Sequence, residues 1–147
     1  MPVVHTFQIV RRAPSRLLPY LKVIRAVESQ RHQIWASWWK GVTDGKDDPL
    51  PDLVRASRLW EQRVAGSNPD AACLAFHLAY LRYLAVERAH MARLAELPLP
   101  LSATGMASLE ADLPALDQAR ARAASRLREV QLAHPELRME LETLHIQ

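Results

Sequence analysis

The sequence has little cysteine, little glycine and no long hydrophobic run. Its single cysteine, Cys73, leaves no internal disulfide and fits a reducing cytoplasm. In an apolar helical stretch it reads as a small buried hydrophobe rather than a nucleophile. Four glycines in 147 residues exclude a phosphate-binding loop, and no serine lies in a Gly-flanked nucleophile elbow. The longest apolar stretch, residues 71–86, is interrupted by His77 and Arg82 and is shorter than a membrane span. The first ten residues lack the apolar core of a secretory signal. These absences predict a soluble cytoplasmic chain without a membrane partner.

Acid is scarce at the start of the chain. Residues 1–40 hold seven Arg or Lys against Glu28 alone, a local charge of +6, whereas residues 41–52 carry four Asp against Lys46. Arginine outnumbers lysine sixteen to three. A guanidinium donates two parallel hydrogen bonds to a phosphate, so this bias points to phosphate recognition, although a genome rich in arginine codons gives the same ratio.

What is abundant is Ala, Leu and Arg, all good helix formers. A first helix is expected from about Pro19 to Lys40, stopped by Gly41. Its seam, Leu17, Tyr20, Ile24, Val27, Arg31, Ile34 and Trp38, is spaced by threes and fours. A second helix, about 52–65, repeats the spacing with Leu53, Ser57, Trp60 and Val64, and Asn68-Pro69 restarts the chain. The third, about 69–97, carries Cys73, Phe76, Tyr80, Tyr83, Glu87, His90 and Leu94 on one stripe and Leu74, Leu78 and Leu81 on another. Two apolar stripes predict a central helix packed on both sides. Residues 98–114 read as a proline-rich linker, and a fourth helix from near Pro114 keeps its phase through Pro135 to Leu144. Residues 3–10 alternate weakly and predict a short extended segment, coiled or paired with a partner chain; residues 1–14 form an arm. The fold expected over residues 1–147 is one all-α domain, an antiparallel helical bundle of four to five helices with a long apolar central helix.

Two spacings suggest chemistry. Glu87-x-x-His90 and Glu142-x-x-His145 put a carboxylate and an imidazole on one helix face, as in di-metal carboxylate bundles, with Glu28 and Glu61 as nominees for the remaining ligands. The single-Glu helices do not alternate with the Glu-His helices as that site requires, and no metal or other cofactor is expected. Arg128-x5-His134 resembles the active-site spacing of HEPN-type ribonucleases, which are helical bundles of this size; Arg25-x6-His32 and Arg138-x6-His145 fit the same loose pattern. The resemblance implies proton transfer by His134 and stabilisation of phosphate charge by Arg128. The small polar residue that usually follows the Arg is replaced by Glu129.

The expected binding surface is basic and helical: Arg11, Arg12, Arg16, Lys22 and Arg25, then Trp39 and Lys40, with Arg55, Arg58 and Arg63 on the second helix. Trp39 beside Lys40 has the composition of a base-stacking platform. Small helical subunits of nucleoprotein machines, such as CRISPR effector small subunits and replication-restart accessory proteins, are similar in size, helicity and arginine bias. The expectation is a non-enzymatic accessory subunit that binds a nucleic-acid backbone, single strands included, or joins a nucleoprotein complex. A protein–protein adaptor or inhibitor and a helical ribonuclease are the alternatives.

Overall fold

A computed structural model describes residues 16–43, 50–97, 102–142 and 144–146. Among these the chain is all-α, with five α-helices and no strand: α1 (Leu17–Thr43), α2 (Leu50–Ala65), α3 (Leu74–Glu96), α4 (Ala103–Ala133) and α5 (Arg138–Glu142). Short 3₁₀ turns at Ala71–Cys73 and Pro135–Leu137 precede α3 and α5. The expected extended segment at residues 3–10 lies outside the described residues.

Helix α1 begins two residues earlier and ends later than its sequence punctuation suggests. Tyr20 N donates to Arg16 O at 3.0 Å, so Pro19 falls in the first turn, where its missing N–H costs nothing. Gly41 does not stop the helix. The α2–α3 turn is closed by Ser67, whose N and Oγ both donate to Val64 O. A Cβ at Gly66 would stand only 3.2 Å from Gln62 O. Asp70, not Asn68, caps the following turn by accepting from Ala72 N at 3.0 Å. Asn68 and Asp70 instead hold Arg16 between them: Asn68 Oδ1 accepts from Arg16 Nη1 and Asp70 Oδ2 from the Arg16 backbone N.

The linker expected at 98–114 is overturned from residue 103 onward. Ser102 accepts from Gly105 N at 3.0 Å as an N-cap, and α4 runs unbroken through Pro114. A proline inside a helix loses one hydrogen bond and crowds the carbonyl four residues back. Here it lies on the exposed side, where water can satisfy the freed carbonyl. At Pro135 the chain does break: α4 ends at Ala133, yet Leu137, Leu141 and Leu144 stay in contact with the same core.

That core gathers Tyr20, Ile24 and Val27 of α1, Leu53, Trp60 and Val64 of α2, Phe76, Tyr80, Leu84 and Met91 of α3, and Ala123, Leu127 and Val130 of α4. Burying each large apolar side chain is worth about 1.5–3 kcal/mol. Trp38 and Leu81 pack against this core half-buried rather than inside it. Helix α3 lies along both α2 and α4, but its second apolar stripe is not a second buried face. Leu74 and Leu78 are 51% and 60% exposed. No helix among the described residues is long and apolar enough to cross a membrane.

Candidate functional site

The seam positions of α1 and α3 that are not apolar meet in the core. Arg31, 1% exposed, projects from α1 between Glu28 of its own helix and Glu87 of α3. Its Nε donates to Glu87 Oε1 at 3.0 Å, Nη2 donates to Glu87 Oε2 and to the Tyr83 hydroxyl at 2.8 Å, and Nη1 reaches both Glu28 oxygens at 3.1 Å. Tyr80 donates its hydroxyl to Glu28 Oε1, and Tyr83 donates to Glu87 Oε2 at 3.1 Å. All three guanidinium nitrogens therefore have partners, which is the condition for a buried charge to be tolerated.

The network has two carboxylates for one guanidinium. Burial pushes the Glu28 carboxyl up, against the lowering influence of Arg31, Tyr80 and His32. Burial alone would lower Arg31, but the hydrogen bonds and charge of Glu87, then the charge of Glu28, hold it above the ordinary arginine value. Burial likewise raises the Tyr80 and Tyr83 hydroxyls, so both act as neutral donors. Nearer the start of the same two helices, the Tyr20 hydroxyl lies 2.9 Å from His77 Nδ1, and burial lowers the His77 pKa. Sequence reasoning placed Arg31, Tyr80, Tyr83 and Glu87 on the right stripes without seeing that they join. The available signal was an arginine on one core stripe and a glutamate on another.

The expected basic surface is thinned by these partnerships. Arg11 and Arg12 lie outside the described residues. Arg16 is held by Asn68 and Asp70, and Arg55 is paired with Asp52. Lys22, Lys40, Arg58 and Arg63 are exposed and Arg25 is half-buried, none with an ion pair among the described residues. Lys22 and Lys40 lie on the side of α1 opposite its seam. Trp39 is 66% exposed, next to Trp38 at a ring separation of 6.2 Å.

Glu28 is the only acid of α1, and it faces the core at 2% exposure. The solvent side of α1 consequently carries cations and no carboxylate of its own helix.

The Glu87-x-x-His90 spacing is taken apart. Glu87 serves Arg31, whereas His90 Nδ1 lies 3.2 Å from Asp112 Oδ2, which α4 supplies together with an ion pair to Arg93. Glu61 is paired with Arg88. Among the described residues no group of three or more His, Cys, Asp or Glu is arranged to hold a metal ion. Arg128 lines a cleft of about 460 Å³ with Gln131, Leu141, Glu142 and His145, while His134 Nδ1 turns to Glu136 Oε1 at 3.0 Å. Arg128 and His145 thus line the same cleft.

No protein-family model matches the chain, and no curated protein and no solved structure is significantly similar to it.

Proposed function

We propose that this chain is a non-catalytic accessory subunit that binds a nucleic-acid backbone, or joins a nucleoprotein complex, through the basic side of α1 and exposed arginines of α2. The observation that supports the reading is the inward burial of Glu28. With that carboxylate withdrawn, Lys22, Arg25 and Lys40 of α1 project a field of one sign, and Arg58 and Arg63 add exposed cations on α2. A phosphate backbone is attracted by such a field irrespective of sequence, and Trp39 adds an exposed aromatic surface for an unpaired base. Arg11 and Arg12 belong to the same proposed surface. The scaffold proposed for it is an antiparallel bundle around α3, within one cytoplasmic domain.

The test is binding of labelled single- and double-stranded oligonucleotides across a salt series. Affinity should fall as salt rises, because each neutralised phosphate releases counterions. The Lys22→Glu/Arg25→Glu/Lys40→Glu variant should bind more weakly, with a log–log salt slope shallower by about 2–3, since each phosphate contributes about 0.7–0.9. Absence of binding at low salt sinks the proposal.

A protein adaptor is the second reading, favoured by Leu74 and Leu78. They lie one helical turn apart on α3 and are both more than half exposed, a pairing common at interaction sites. Changing both to Ser should abolish partner capture in that case and leave oligonucleotide binding unchanged.

A further inference from the structure

Helices α3 and α4 approach along small side chains. Ala79 of α3 and Ala115 and Ala119 of α4 line a cleft of about 140 Å³ between them. Its polar lining is supplied by Arg82 from α3 and by Gln118 and Arg122 from α4. Gln118 and Arg122 are four residues apart and therefore project on one helix face. No carboxylate lines the cleft.

The arginines around it are treated differently. Arg88 is paired with Glu61, Arg93 with Asp112, Arg120 with Asp117 and Arg126 with Glu129. Arg82 and Arg122 have no ion pair among the described residues, although they are exposed side by side at the lining of one concave space. Two uncompensated guanidinium groups at one cleft repel each other unless an anion lies between them. Each offers a planar fork suited to tetrahedral oxyanions, and the Gln118 amide supplies a further donor.

We propose that Arg82, Gln118 and Arg122 form a binding site for a single phosphomonoester group. The charge matches, because a phosphomonoester carries about −1.5 to −2 near neutral pH against two guanidinium cations. Room is not limiting: the cleft's about 140 Å³ is space for water centres, enough for on the order of ten waters at about 10–15 Å³ each. A single phosphoryl group fits that space. The site is separate from the basic side of α1 and does not depend on the function proposed for that side.

Titration of the full chain with inorganic phosphate at constant ionic strength, read on the arginine Nε–H resonances, tests the proposal. Binding should saturate with a dissociation constant of about 1 mM or tighter. It should weaken at least about tenfold in Arg82→Gln/Arg122→Gln, a loss of about 1.4 kcal/mol. Arg120→Gln/Arg126→Gln removes the same charge from paired positions and should leave binding unchanged. If the glutamine pair at 82 and 122 unfolds the chain, Arg82→Lys/Arg122→Lys retains charge and stem but loses the fork, and should still bind more weakly. Sulfate should compete and acetate should not. An oligonucleotide with a 5′-phosphate bound better than its 5′-hydroxyl form, with the preference lost in the 82/122 variant, assigns the phosphate to a nucleic-acid end. Equal binding of the two, with phosphate binding retained, assigns it to a small phosphorylated compound. A response that never saturates, or equal losses in both double variants, overturns the site and leaves the two arginines as covers for the alanine seam.

Discussion

Arg31 and Glu87 stand 56 residues apart in sequence and meet fork to fork, with both carboxylate oxygens of Glu87 accepting from one guanidinium. Their burial makes the pair asymmetric in its consequences. Removing one partner strands a charge in the core, whereas removing the whole network strands none.

Arg31→Met should therefore destabilise the fold by about 3–5 kcal/mol. Replacing the network together, Glu28→Leu, Arg31→Met and Glu87→Leu with Tyr80→Phe and Tyr83→Phe, should be neutral or stabilising by up to about 4 kcal/mol. Urea unfolding of both variants decides it. Equal destabilisation would mean that shape, not charge, is what the network contributes.

The same burial predicts a pH dependence. Glu28 is raised above its ordinary value of 4.5, so the stability it contributes is complete below that value and is lost as pH rises through the raised pKa. His77 is lowered from 6.5, so its contribution is present above 6.5 and is lost as pH falls through the lowered pKa. Glu28→Gln removes the first contribution only. Its stability relative to wild type should improve steadily as pH rises from 4.5. A difference independent of pH would show that Glu28 titrates alike in the folded and unfolded chains.

Phe76 is 1% exposed and stacks on Tyr80 at 5.4 Å, whereas Leu78, two residues on, is 60% exposed. Phe76→Ala should cost about 3–5 kcal/mol through the cavity it leaves. Leu78→Ala should shift stability by no more than about 0.5 kcal/mol. Comparable unfolding midpoints for the two variants would contradict the placement of α3.

Pro114 interrupts the hydrogen-bond ladder of α4 without a buried role. Pro114→Ala restores the missing donor and should stabilise the chain, by at most about 3 kcal/mol. Thermal unfolding measures this, and a lowered midpoint would indicate that the proline shapes α4 in a way the core requires.

Cys73 is fully buried, and burial, then the nearby charge of Asp70, pushes its thiol up to about 12. Iodoacetamide should leave it unmodified in the native chain at neutral pH and alkylate it in urea. Rapid native alkylation would place the 3₁₀ turn before α3 among the locally opening segments.

Helical spacing made most of the fold legible. The α1 seam from Leu17 to Trp38 faces the core as its periodicity required, and Ala123, Leu127 and Val130 of α4, spaced by four and three, face it too. Spacing relates residues of one helix, however, and says nothing of what stands opposite. Arg31 and Glu87 were readable as members of two stripes, but their pairing depends on how α1 and α3 face each other. The start of α4 was hidden for another reason. Pro114 and Gly105 weigh against helix locally, and the Ser102 cap and the packing of α4 on α3 outweigh them. The charge of the proposed surface was the least legible, because Arg16 and Arg55 have acidic or polar partners that charge counting does not see.

The burial of Glu28, Arg31 and Glu87 also constrains how the sequence can drift. Any single loss passes through a chain weakened by several kcal/mol, while the joint loss, once Tyr80 and Tyr83 have also given up their hydroxyls, is neutral or stabilising. The three positions are thus locked to one another by a valley that stepwise substitution crosses only with compensation elsewhere. Diverged copies of this chain should keep all three residues or have exchanged all three for apolar ones, and a copy holding Arg31 without either glutamate should be found only where another acid has moved in beside it.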